Sequence, residues 1–398
     1  MTQEPGKRGY KAVSAAQGYF SAAEDTWPET SYTAAVMQDR RKFLQCAASL
    51  AAAPPCASSA PEQPLRAHAA AAGILYGAAA AYGPLQNDAS YAAHFAEECG
   101  ILVPENVLKW GPVHPEPERY NFEPADFLAD FARKNQIQMR GHTLVWHNQL
   151  APWVATAVTK QNARRHLESH IRAVVGHFKG RMHSWDVVNE AVSPGDLRND
   201  GLRKTPWLEH FGPEYLDSAY HTASETDPGA LLVYNDYGLD YDEPGQEAKR
   251  AAVLNLLRDL KKRSVPLHAF GMQAHLSARQ QKNFRPETLR RFLGEIAGLG
   301  LKILITELDV ADQSLPEDAA ERDRGVAEVY ESYLTAALSN QALIAVLTWG
   351  LTDKYTWLAN QNKRADGTPV RVLPFDRDFQ RKPAWHAMAK AFDARAAK

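Results

Sequence analysis

From about residue 70 to the C-terminus, short β-like runs and amphipathic helical stretches alternate without interruption. The apolar runs are Ile74–Ala80, Ile101–Asn106, Gln138–Trp146, His183–Glu190, Leu231–Tyr237, Ala269–His275, Lys302–Val310 and Ala345–Asp353. Between them lie candidate helices at Ala125–Lys134, Lys160–Phe178, Pro213–Thr226, Gln246–Arg263, Pro286–Leu299 and Glu317–Leu338. In the last of these, Val326, Val329, Tyr330, Tyr333, Leu334 and Leu338 recur at helical spacing, and Pro213 and Pro286 sit where a helix can begin. Strand-helix alternation repeated this often argues for a parallel sheet with helices outside it. Eight units in a segment of this length suit an α/β fold of one kind, a single (β/α)8 TIM barrel. The alternative, an open doubly wound sheet, would carry a Gly-rich phosphate loop after its first strand, and Gly73-Ile74-Leu75-Tyr76-Gly77 does not supply one.

The chain has 398 residues, 45% of them hydrophobic and 23% charged, enough for one large core. Its net charge is −2 and no basic block appears, so composition gives no reason to expect nucleic acid or an anionic membrane as partner. The first sixty residues read differently. Residues 1–36 lack periodicity, and Met37 offers a second start. The run Asp39-Arg40-Arg41-Lys42-Phe43-Leu44 then opens a pattern of twin arginine, short Ala-rich apolar segment and small residues near Ala57–Ala60. That order is expected of a twin-arginine export signal, with the protein periplasmic or extracellular. The apolar run is shorter than the roughly 20 residues of a membrane span. Cys56 follows Ala53-Pro54-Pro55, a poor lipidation context. Residues 1–60 are therefore expected to be an upstream segment and leader, and 61–398 the catalytic domain. Removal of a leader would leave Cys99 alone of the three cysteines, excluding an internal disulfide.

In a barrel, chemistry gathers at the C-terminal ends of the strands. Those ends are Glu105-Asn106 with Lys109-Trp110, His142 through His147, Asn189-Glu190, Tyr234 through Tyr237, Gln273-Ala274-His275, Thr306 through Asp309, and Thr348-Trp349-Gly350 with Trp357 beyond. Residues two apart on a strand share a face, which pairs His142 with Trp146, Gln273 with His275, and Glu307 with Asp309. Glu190 ends the fourth run and Glu307 lies on the seventh, so a closed barrel brings the two carboxylates to one mouth. Two carboxylates in a cleft with Trp and amide side chains suit cleavage of a glycosidic bond, one as proton donor and one as nucleophile or base. A lone Glu at a strand end is usually an ion-pair or loop residue; the pair and its surroundings speak for catalysis. His142 and His275 could be metal ligands, but no HxH or HExxH pairing supports a metal, and no cofactor is called for.

These residues, quoted in order, resemble a known family. Glu105-Asn106-Val107-Leu108-Lys109-Trp110, Gly141 through His147, Trp185 through Glu190, Tyr234 through Tyr237, Gly271 through His275, Ile305 through Asp309 and Thr348-Trp349-Gly350 look like glycoside hydrolase family 10. The resemblance extends to Leu373-Pro374-Phe375-Asp376 and Lys382-Pro383-Ala384-Trp385, covering about residues 72–392. It implies a retaining endo-β-1,4-xylanase acting on xylan or xylo-oligosaccharides, expected to be monomeric. By resemblance Glu190 is the acid/base and Glu307 the nucleophile. Asn189 would bond the sugar 2-hydroxyl, and His275, backed by Asp309, would orient Glu307. Lys109, His142, Trp146, Gln273, Trp349 and Trp357 would line the cleavage subsite. Glu105 and Asn106 would serve the next subsite, and Tyr234 the aglycone side. Val103 and Gly238 depart from the pattern, the second beside the aglycone side. Two rival readings are a glycosidase for another β-linked glycan and a catalytically dead glycan-binding barrel; retention of both carboxylates weighs against the latter.

Overall fold

Why the strands close on themselves can be read from their lengths and sides. Each is three to ten residues long and, the three-residue β7 apart, almost wholly buried: β1 (Leu75–Ala80), β2 (Ile101–Pro104), β3 (Gln138–Gly141), β4 (Ser184–Asn189), β5 (Leu231–Asp236), β6 (Ala269–Met272), β7 (His275–Ser277), β8 (Lys302–Ala311) and β9 (Leu343–Thr348). Burial on both faces is the mark of a parallel sheet sheathed in helices. In the computed structural model, which describes residues 62–397, all the ladders between these strands are parallel. The order β6-β5-β4-β3-β2-β1-β9-β8 is closed by pairing of β6 with β8. β7 continues the line of β6 along the upper half of β8, with His275 opposite Asp309. Counted as one interrupted strand, β6 and β7 give eight: the chain is a closed (β/α)8 barrel.

Side chains divide into two apolar regions. Ala79, Ile101, Val103, Val233, Ala269, Leu304, Ala345 and Leu347 fill the bore, capped by Trp349. A second, larger cluster lies between the sheet and the helices. Each fully buried Val or Leu in these layers contributes about 1.5–3 kcal/mol. At Gly77 the sheet leaves no room for a side chain: an added Cβ would stand 1.7 Å from the Ile101 carbonyl oxygen.

The helices follow from stripe and cap. Ala163–His177 buries Ala163, Leu167, His170, Ile171, Val174 and Val175, a 3.6-residue period. Pro244–Lys262 starts on proline and carries Glu247 in its first turn and Lys261 and Lys262 in its last, matching the helix dipole. Asp88 caps Ala89–Glu98 through the amides of Ser90 and Tyr91.

Several boundaries differ from expectation. The sixth run does not continue to His275: it breaks at Gln273-Ala274, where Ala274 takes a left-handed φ of 60°. Pro213 opens a turn, and its helix starts at Tyr215. The last strand ends at Thr348, and the loop beyond it is held by Lys382, whose buried Nζ bonds Asp353 Oδ2 at 2.8 Å. The helices Leu65–Ala71 and Pro383–Ala396, unmarked in the sequence reading, pack on each other. Cys99 is a free, buried thiol. The export-leader reading of residues 1–60 lies outside the described residues. Among the described residues, no helix is long and apolar enough to cross a membrane.

Candidate active site

Glu190 follows a slip in strand register and Glu307 lies within one. On β4, Asp186 stands opposite Val233 but Val188 opposite Tyr234, so one residue is extra. On β8, Ile305 pairs with Val346 and Leu308 with Thr348, again one residue over. Such slips re-aim side chains and occur beside active sites. Glu190 then turns with a left-handed φ of 59°, a conformation uncommon outside glycine. Its amide donates to the Asn235 carbonyl at 2.9 Å and its carbonyl accepts from Arg203 Nε at 2.7 Å, which fix the turn.

An amide web joins the two carboxylates. Gln273 Nε2 donates to Glu190 Oε1 at 3.0 Å and to Asn189 Oδ1 at 3.3 Å. Asn235 Nδ2 donates to Asn189 Oδ1 at 2.9 Å and to Glu307 Oε1 at 2.8 Å. Thr306 Oγ1 donates in turn to Asn235 Oδ1 at 2.7 Å. On its other oxygen Glu307 accepts from His275 Nε2 at 3.1 Å, while His275 Nδ1 bonds Asp309 Oδ1 at 2.9 Å. Burial would raise the Glu307 pKa. The His275 hydrogen bond, the positive potential of His142 and His275, and the Asn235 amide reverse that and hold it at about 2. Burial would likewise strip His275 of its proton, but Asp309 and Glu307 on either side push its pKa well up. Glu307 is thus an anion locked against a histidinium.

Glu190 has a different setting. Its nearest polar neighbours on Oε1 are the amides of Gln273 and Asn189, the latter at 3.3 Å. His147 Nδ1 lies 3.9 Å from Oε2. Burial, then Arg203, lowers the His147 pKa to about 4, so at neutral pH this neighbour is uncharged and no ion pair forms. The two carboxyls thus have unlike hydrogen-bond partners, a histidine and an amide on Glu307 and side-chain amides on Glu190.

The cleft around them has a volume of about 460 Å³ and is lined by Lys109, His142, Trp146, His147, Asn189, Glu190, Tyr237, Gln273, His275, Glu307, Trp349, Trp357 and Gln361, among others. Trp349 is 6% exposed and forms its floor, wedged between His142 and His275 with ring centroids at 5.3 and 6.3 Å. Lys109 Nζ stands 5.3 Å from the Trp146 ring centre and donates to Asn106 Oδ1 at 3.0 Å. Asn106 Nδ2 donates to Glu105 Oε1 at 3.2 Å. Glu105 and Asn106 therefore meet the cleft through Lys109 rather than as part of its wall. Burial raises the Glu105 pKa, opposed by the Lys109 charge, and lowers that of Lys109, opposed by Glu307 first and then Glu105.

Tyr234 corrects the sequence reading. It is fully buried, packs against Phe270 outside the sheet and donates its hydroxyl to Asp236. Val233 and Asn235 face inward on β5, so Tyr234 must face out. The aromatic at the cleft is Tyr237, 39% exposed. Its ring rests 3.6 Å from Lys249 Nζ, and its hydroxyl accepts from Arg203 at 3.1 Å. Also missed were Asn235, quoted in the motif but given no role, and Asp186. The latter is fully buried, bonds Arg140, and takes His142 Nδ1 at 2.8 Å. A charged residue in the middle of an apolar strand was the signal for Asp186. Among the described residues, no group of three or more His, Cys, Asp or Glu side chains is placed to hold a metal ion; His142 and His275 are both engaged by carboxylates.

Comparison with known proteins places this site in context. Residues 64–391 match the family model described as glycosyl hydrolase family 10. An endo-1,4-beta-xylanase B of Thermotoga neapolitana is 37% identical over 343 residues, 85% of this chain and 94% of the relative. The native xylanase 10B of Thermotoga maritima superimposes with a TM-score of 0.76 at 37% identity, over 84% of this chain and 99% of that one. The xylanase 10B of Thermotoga petrophila RKU-1, solved with xylobiose, matches with the same TM-score and identity over 85% and 99%.

Proposed function

The chain belongs to glycosyl hydrolase family 10, and from that membership we infer that it is an endo-β-1,4-xylanase that cleaves internal xylosidic bonds with retention. The observation that carries the mechanism is the unlike pair: Glu307 ionised between His275 and Asn235, Glu190 facing it across neutral amides. Glu307 attacks the anomeric carbon while Glu190 protonates the leaving oxygen, breaking the glycosidic bond and forming a glycosyl ester. Glu190, now ionised, takes a proton from water, whose oxygen displaces Glu307 and restores both groups. Asn189, its amide oxygen fixed by two donors, presents Nδ2 beside Glu190, where the sugar 2-hydroxyl would lie. Trp146, Trp349 and Trp357 offer flat faces to the sugar rings. The xylobiose complex of the Thermotoga petrophila relative supports a xylo-oligosaccharide as ligand. Export through the twin-arginine signature at Arg40-Arg41 is part of the same proposal. Export of the protein with both arginines intact and cytoplasmic retention of the double Lys variant would support it, and unchanged fractionation of the double Lys variant would remove it.

The test is kinetic and stereochemical. Glu190→Ala should lose activity on xylan yet form the intermediate from aryl xylobiosides with good leaving groups. Glu307→Gln should lose both. The first hydrolysis product should be the β-anomer; an α-anomer, or an active Glu307→Gln protein, would overturn the assignment. Reducing-sugar release from xylan against soluble cellulose separates this reading from a glucan hydrolase.

A further inference from the structure

Trp357 has two kinds of contact at once. Its ring lines the cleft, with its centroid 5.1 Å from that of His275. Its indole Nε1 also donates to Asp309 Oδ2 at 2.7 Å. The other Asp309 oxygen accepts from His275 Nδ1, and His275 Nε2 reaches Glu307. Asp309 is 1% exposed, so water does not substitute readily for a lost donor. Each Asp309 oxygen has one of these donors, and together they fix the plane of the carboxylate. That plane sets where the imidazole points. Trp357 itself sits in the loop beyond β9, one residue before the short helix Leu358–Gln361. Its bond to Asp309 therefore links a loop platform to the sheet.

We propose that Trp357 is a positioning residue for Glu307, acting through Asp309 and His275, so that the platform meeting the sugar and the nucleophile share one hydrogen-bonded chain. The proposal rests on the retaining reading above. A sugar seated on Trp357 would press the indole toward Asp309 and tighten the chain when attack is required. The groups facing this chain are Glu307 and Asp309 on β8, His142 beyond β3, Lys109 beyond β2, Glu190 beyond β4, Asp240 and Tyr241 beyond β5, and Tyr330 on the helix Ala319–Ala337. None of these supplies a replacement donor to Asp309 Oδ2. Loss of the indole N–H frees Asp309 to swing and loosens His275, so Glu307 gains a proton at higher pH.

The experiment compares Trp357→Phe with the wild type on an aryl xylobioside across pH. The ring remains and the N–H is lost. The expected result is a KM within about threefold, a fall in kcat of about tenfold, as for loss of a hydrogen bond to a charged group, and an acid limb of kcat/KM displaced upward while the basic limb stays. Incorporation of 3-benzothienylalanine at 357, which keeps the bicycle and lacks the N–H, should do the same and serves if the Phe protein fails to fold. A raised KM with an unmoved acid limb in either protein overturns the proposal and leaves Trp357 as a stacking surface alone. Glu307→Gly with added azide separates the two readings. Formation of the α-glycosyl azide with no movement of the acid limb removes only the role of Trp357; absence of rescue removes the nucleophile assignment and the positioning role with it.

Discussion

Asn235 donates from its amide nitrogen to the Glu307 carboxylate at 2.8 Å, and the same nitrogen reaches Asn189. The residue that would hold the sugar's 2-hydroxyl and the residue that would attack its neighbour carbon are thus set by one side chain. Asn235→Ala should cost about 10- to 100-fold in kcat/KM, the range for a lost hydrogen bond to a charged group. It should also move the acid limb up, because one of the influences lowering the Glu307 pKa is gone. Steady-state kinetics at several pH values would check this; a flat acid limb would mean that Asn235 only spaces the site.

His275 gives the larger test of the same electrostatics. Glu307 has a pKa of about 2 because its partners overcome burial. Activity that needs ionised Glu307 should therefore persist as pH falls past the ordinary Glu range and fade only near the folded value. His275→Gln removes the histidinium while burial remains, so the acid limb should rise by at least about one unit, each unit equalling about 1.4 kcal/mol. The sign for stability follows likewise. A depressed folded pKa stabilises the fold above about pH 4.5, the unperturbed value, and that contribution is lost as pH falls toward 2. The His275→Gln protein should show a smaller loss of denaturant midpoint between pH 5 and pH 3 than the wild type.

Asp186 lies between Arg140 and His142 with no solvent access. Asp186→Asn leaves a buried guanidinium without its anion and should cost about 3–5 kcal/mol in urea unfolding. Pairing it with Arg140→Met should recover much of that loss. Activity should not recover with it, because His142 would still lack its carboxylate.

Tyr234 and Tyr237 should separate stability from substrate. Tyr234→Phe removes a buried hydroxyl bond and should cost about 1 kcal/mol with little change in turnover. Tyr237→Ala should leave the fold near wild type. It should raise KM for long xylo-oligosaccharides more than for an aryl xylobioside, whose leaving group is short. Product profiles by chromatography would show the difference.

Gly238 has a φ of 65° and open space where a Cβ would stand. Asn tolerates this left-handed region better than most residues. Gly238→Asn should therefore change stability by less than about 1 kcal/mol while altering the product pattern beside Tyr237. A drop in melting temperature with unchanged products would mean that the position is structural.

Much of this was legible in the chain because strand ends and helix stripes are local patterns. Glu190, Glu307 and their Trp neighbours follow from where apolar runs stop. What was not legible depends on register. Parity counting assumes that alternate residues share a face, but Val187 and Val188 are adjacent and both pack in the outer core. Thr306 and Glu307 are adjacent and both bond Asn235. No count by twos gives either result. Tyr234 belongs to a cleft motif yet faces out of the strand, and its inward neighbour Asn235 is the one in reach of Glu307. The break at Gln273-Ala274 was hidden because Ala gives no sign that it will adopt φ 60°. Asp186 needed a partner, and nothing in sequence spacing links it to Arg140, 46 residues earlier.

The two register slips also separate inheritance from chemistry. Below them, Val233, Leu304 and their neighbours interlock in the bore, and the one irregularity there, between Ile303 and Leu304 on the ladder to β9, is balanced by the slip above it. At the rim, the beat is shifted by one residue on β4 and on β8. Substitutions deep in the bore can therefore drift without rotating Glu190 or Glu307, and the rim can change its sugar contacts without disturbing the bore. A barrel built this way can evolve its specificity and its stability on separate clocks.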